Sequence, residues 1–134
     1  MDTDPRFDML KAACPTRQVI DRIADKWTLL AVVALEASGT LRFSELKRSI
    51  EGISQKMLTQ TLRTLERDGM VRREVEATVP VTVRYSLTPL GLSLAHAVGA
   101  LREWSYANMD AIEAARDDYV PPTGPPTPTA VPAA

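Results

Sequence analysis

Between Ser54 and Asp68, four side chains that donate hydrogen bonds, Lys56, Gln60, Arg63 and Arg67, recur at spacings of four, three and four residues. On an ideal helical wheel with Leu58 at zero they fall between about 140° and 200°, with Thr59 beside them at about 100°. Leu58, Leu62 and Leu65 lie within about 40° of zero, on the opposite side. Glu66 and Asp68 sit on the flanks, so no carboxylate interrupts the exposed band. Such a band suits the edges of bases. Arginine and lysine donate to guanine O6 and N7, glutamine matches adenine N6 and N7, and a threonine methyl packs on a thymine methyl. Ser54 is placed to cap the helix, and with Gln55 and the free N–H groups of the first turn it can meet a phosphate.

Any soluble amphipathic helix has a charged outer face, so the band gains meaning only from its surroundings. Phe43 to Ile50 reads as a short helix with Phe43, Leu46 and Ile50 inward, and Glu51-Gly52 as the turn after it. Gly69 closes the longer helix, and beyond it the apolar period changes from 3.6 to 2. Met70–Glu76 and Thr82–Leu87 read as two antiparallel strands around a loop at 77–81. Upstream, Pro15 or Thr16 opens a helix carrying Val19, Ile20, Ile23 and Ala24. The stretch Trp27–Leu35 is apolar almost all round, which predicts a central helix buried on most faces. Ser38-Gly39 ends it, Thr40–Arg42 is a short extended piece, and Thr88-Pro89 starts a last helix to about Asp118. The order is helix, helix, short strand, helix, helix, strand, strand, helix. The predicted fold class is mainly α with a small β-hairpin wing: a winged helix-turn-helix domain.

A formal net charge of −1 over 134 residues looks wrong for a partner of polyanions. The distribution matters more than the sum. Residues 42–73 hold 8 basic and 4 acidic side chains, whereas residues 85–134 hold 2 and 5. A local positive patch is what a polyanion meets. One cysteine permits no intramolecular disulfide, no long apolar run suggests a membrane helix, and the first residues lack the pattern of a secretory signal. The expected location is the cytoplasm. The expected organisation is an N-terminal arm or helix at 1–13, a domain at 14–118, and a disordered, proline-rich tail at 119–134.

These residues resemble the HxlR-type winged-helix regulators. The resemblance runs from about Cys14 to Leu94. It is carried by Cys14-Pro15, by Ile23–Leu30 (IADKWTLL), by Arg42–Leu46 (RFSEL) and by Gly52–Thr59 (GISQKMLT). Leu62–Gly69 (LRTLERDG) and Tyr85–Gly91 (YSLTPLG) complete it. Each fragment alone is common; their order and spacing together are specific. The resemblance implies a transcriptional regulator that acts as a homodimer, with two recognition helices in successive major grooves of a palindromic operator. It also implies dimer contacts through added N- and C-terminal helices. Ser54, Gln55, Lys56, Thr59 and Arg63 match positions facing DNA, and Arg42 matches an arginine leading the Phe-x-Glu-Leu helix, a phosphate-contact candidate. The chain departs from the family at the wing: Glu76 to Val83 contains no basic residue, and Arg84, at a position often acidic, is the one candidate DNA contact nearby. Specificity should therefore rest on the 54–67 helix.

On the last helix Leu90, Leu94, Ala97, Leu101, Trp104, Asn108 and Ala111 alternate spacings of four and three, a seam suited to another helix. Leu94, Leu101 and Trp104 are the candidate dimer contacts, whereas Trp27, among buried types, is expected in the core. Cys14 precedes Pro15 at a helix start, where the positive end of the dipole favours thiolate, and the resemblance includes members that sense oxidants or electrophiles there. That makes an oxidant or another small molecule a candidate effector. The opposing reading is a small thiol filling space. An enzyme finds little support. His96 is the only histidine, no set of Cys and His ligands could hold zinc, and no glycine-rich phosphate loop is present. No cofactor is expected. A winged helix that binds only protein, without specific DNA binding, is the alternative.

Overall fold

The computed structural model describes residues 4–124. A 3-10 turn at Pro5–Phe7 lies in the N-terminal arm. Helix α1 spans Pro15–Ile23 and starts at Cys14 with proline in its first turn. Asp25 separates it from α2 (Lys26–Ser38) by turning its carboxylate onto the Thr28 N–H at 3.4 Å. Strand β1 (Thr40–Arg42) leads into α3 (Phe43–Ser49), and α4 follows at Gln55–Arg67. Strands β2 (Val71–Glu76) and β3 (Thr82–Leu87) form the hairpin, and α5 runs Pro89–Asp118.

The three strands form one antiparallel sheet in the order β1-β3-β2. Leu41 stands opposite Tyr85, and Tyr85 opposite Arg73; Arg42 stands opposite Arg84, and Arg84 opposite Glu74. Because side chains alternate across a strand, Val83, Tyr85 and Leu87 share one face and Thr82, Arg84 and Ser86 the other. Tyr85 and Leu87 pack on the core, so the first face is the inner one.

Two compact units divide the chain after Leu101, within α5. The first unit holds the core, built from Ala31, Val32 and Leu35 of α2, Leu46 of α3, and the Leu58, Leu62 and Leu65 stripe of α4. Leu41, Ile50, Ile53 and Met70 join it from the strand and turns, and Val71, Ala95 and Val98 from the hairpin and α5. The second unit, described as far as Gly124, comprises the rest of α5 and residues 119–124. Most of the expected proline-rich tail, residues 125–134, lies outside the described residues.

The element order and the wing agree with the reading of the sequence. Helix α2 is less enclosed than its composition suggests. Thr28, Ala31, Val32 and Leu35 are buried, but Leu30 is 40% exposed and lies with Val33 and Ala34 along an open groove beside Ile50. An all-round apolar helix has more than one face to cover, and only one of them meets α4 and the sheet. Among the described residues, no helix is long and apolar enough to cross a membrane.

Candidate nucleic-acid interface

Helix α4 is positioned by its ends and its leucines. The Ser54 Oγ accepts the Met57 N–H at 3.0 Å, which leaves the hydroxyl proton free to donate outward. At the other end Gly69 takes φ +79°, a left-handed conformation that glycine adopts without Cβ strain. Leu58, Leu62 and Leu65 are each at most 2% exposed and hold the helix against the core. The opposite side is therefore forced into solvent. Gln55, Lys56, Gln60, Arg63 and Arg67 are all exposed, and Thr59 is half-buried. The Thr59 hydroxyl donates to the Gln55 carbonyl at 2.8 Å, so its outward chemistry is that of its methyl group.

The cations of this band differ in their freedom. Among the described residues, Lys56 and Arg63 have no carboxylate in ion-pairing distance, and Arg67 lies 3.9 Å from Asp68. Asp68 is already held by Arg22 of α1 at 3.2 Å, which ties α1 to the end of α4. Arg42 precedes α3. Its backbone N–H donates to Glu45 at 2.9 Å, and its guanidinium, 55% exposed, lies 4.0 Å from that carboxylate.

Arg84 is placed apart from the α4 band. It lies on the outer face of the sheet, and its Nε donates to Glu76 at 2.8 Å with Glu74 directly opposite. The hairpin thus neutralises the single cation near the wing tip. The loop itself exposes Val79 and Val81 rather than charge.

The inner face brings in residues that the sequence reading did not assign to a site. Phe43, Arg73 and Tyr85 converge with Thr59 and Arg63 on a cleft of about 430 Å³ between α4 and the wing. Arg73 reaches Glu66 of α4 at 3.0 Å. Burial pushes the Tyr85 phenol above its usual value; Arg73 and Arg63 lower it, and Glu66 raises it. The phenol is a hydrogen-bond donor at neutral pH, as any tyrosine is, and burial only reinforces this. The strand period alone could have flagged Arg73, because it falls on the same face as Val71 and Val75.

Cys14 is buried, at 2% exposed. Its Sγ donates to the Arg6 carbonyl at 3.1 Å, and the Thr16 hydroxyl donates to the same oxygen, so the arm closes over the start of α1. Leu94 packs on the core of its own unit, whereas Leu101 and Trp104 are 53% and 58% exposed.

A short helix, a glycine-containing turn, a leucine-backed helix with a basic outer face and a following hairpin define a winged helix-turn-helix protein. The chain belongs to the HxlR-like helix-turn-helix family, whose model matches residues 22–113. It is 45% identical over 105 residues to the HTH-type transcriptional regulator YtfH of Escherichia coli K12, spanning 78% of this chain and 82% of that one. The solved structure of ytfH from Salmonella typhimurium superposes with a TM-score of 0.76 at 41% identity, over 82% of this chain and 97% of that one. The redox regulator HypR in its reduced form is also similar, with a TM-score of 0.68 and 40% identity over 75% of this chain and 98% of that one.

Proposed function

We propose that this protein is a sequence-specific DNA-binding transcriptional regulator that works as a homodimer on a palindromic operator and catalyses no reaction. One observation carries the reading: Lys56, Gln60 and Arg63 stand exposed on one face of α4, and Lys56 and Arg63 have no acidic partner among the described residues. Inserted in a major groove, Arg63 and Lys56 donate to guanine, Gln60 reads adenine, and Thr59 packs on thymine. Ser54, Gln55 and Arg42 hold phosphates, which set the register but read no sequence. Arg67 takes the far end of the helix, with a backbone contact as its role. The exposed Leu101 and Trp104 supply the apolar part of the contact between subunits.

Cys14 is the input in this reading. HypR is described as a redox regulator. In this chain a modified sulfur could not keep its bond to the Arg6 carbonyl or its place under the arm. Diamide would take the two electrons and two protons released when the Cys14 thiols of two subunits join in one disulfide. Mass spectrometry after diamide, with DNA binding followed in parallel for Cys14→Ser, checks this. An unmodified thiol, or a serine variant that still responds, refutes it.

The main test is fluorescence anisotropy on DNA from upstream of the gene and its divergent neighbours, over a range of salt, with mass by light scattering. Affinity falls steeply with salt as counterions are released. Arg63→Ala lowers affinity for the preferred sequence by about 1–3 kcal/mol and relaxes one position, while Arg42→Ala weakens all sequences alike. A monomer without preference for any duplex would overturn the reading in favour of a protein-binding module.

A further inference from the structure

The cleft between α4 and the wing has a composition that base reading does not require. Its floor is apolar, with Leu62 only 2% exposed and Val83 and Phe43 half-buried. Its rim is cationic. Arg73 is committed to Glu66 at 3.0 Å, but Arg63 has no acidic partner among the described residues. Tyr85 adds a second aromatic ring to that of Phe43, and Gln55 and Thr59 complete the lining.

We propose that this cleft binds a small aromatic carboxylate, and that its occupancy and operator DNA exclude each other. A volume of about 430 Å³ is at the low end of small-ligand cavities, enough for one or two fused rings. The apolar floor disfavours a compact, heavily hydrated anion such as phosphate, because desolvating it has no return there. A flat carbon skeleton covers Leu62 and Val83 and stacks or packs edge-on with the two rings. The guanidinium of Arg63 matches a carboxylate through two parallel N–H donors, and the Tyr85 hydroxyl in the same lining offers a third. Exclusion follows because Arg63 and Thr59 belong to both surfaces. This part rests on the DNA-reading role of α4, while binding in the cleft does not.

The probe is 1-naphthoate, with hexanoate, acetate and the uncharged 1-naphthylmethanol as controls, titrated into the full-length protein and followed by amide and arginine side-chain NMR. The expected result is saturable shifts centred on Phe43, Thr59, Arg63 and Tyr85, with affinity at least tenfold above each control. Val83→Phe, which fills the floor, abolishes these shifts in a folded protein. Glu66→Gln releases Arg73 as a second donor and tightens naphthoate at least threefold. Naphthoate at ten times its own dissociation constant costs about elevenfold per cleft, and so weakens operator binding by the homodimer about 120-fold, because both recognition helices must be free. Equal binding of the alcohol, shifts scattered over the surface, or unchanged DNA affinity at saturation would each overturn the proposal. Should the protein bind no DNA, the preceding reading falls with the exclusion, while the NMR titration still decides the cleft.

Discussion

Gly91 lies in the first turn of α5, where a helix crosses a carbonyl at a distance no side chain tolerates. A Cβ built on Gly91 would sit 2.0 Å from the Met70 oxygen, 3.0 Å from the Met70 carbonyl carbon and 3.1 Å from Leu87 Cδ2. Ordinary contact begins at 3.4 Å, so the Gly91→Ala variant needs the carbonyl and the helix to separate by about 1.4 Å. The carbonyl cannot move freely. It accepts the Thr88 N–H at 3.0 Å, and the Met70 N–H is itself bonded to Leu65 of α4 at 2.9 Å. Thr88 also donates to the Gly69 carbonyl at 2.6 Å and accepts the Gly91 N–H at 3.1 Å. Forced overpacking costs about 1–3 kcal/mol. A lost hydrogen bond adds about 1 kcal/mol. Exchanging glycine for alanine in a helix returns about 1 kcal/mol. The net expectation is a loss of about 1–3 kcal/mol. Gly99, on the same helix, is the control. Its added Cβ meets nothing within 4 Å, so Gly99→Ala should gain about 0.5–1 kcal/mol from propensity alone. Urea unfolding at several protein concentrations reads both, since a dimer's stability depends on concentration. A Gly91→Ala midpoint at or above the wild-type value, with the slope unchanged, would refute the packing argument.

Three further outcomes follow from named contacts. Ser54→Ala removes the acceptor of the Met57 N–H and should cost about 1 kcal/mol of stability by thermal or urea unfolding. Arg84→Ala should leave DNA affinity within about twofold and the salt dependence unaltered, because Glu76 and Glu74 already neutralise Arg84 on the outer face; a salt slope lowered by about one would show it reaching a phosphate. Arg22→Ala removes the nearer cation from Asp68, whose Oδ2 is already buried without a partner among the described residues, and leaves Arg67 at 3.9 Å; it should cost about 1 kcal/mol, part of which the Arg22→Ala/Asp68→Ala double variant recovers in an unfolding cycle.

Local features of the chain were legible without any coordinates. The cap at Ser54, the stop at Gly69, the leucine stripe and the exposed band of α4 depend on residues within one or two turns of each other, and helical periodicity sorts them. The hairpin was legible for the same reason, since a period of two and a short loop mark its strands. Tertiary structure decided which cations remain free and which surfaces remain open. Arg84 is paired with Glu76 only because the β2–β3 register puts both on the outer face of the hairpin, and Arg73 shares a cleft with Arg63 only because the inner face of the wing packs beside α4. Leu30 stays exposed for a related reason: composition counts the apolar faces of a helix, but only packing determines which of them find a neighbour.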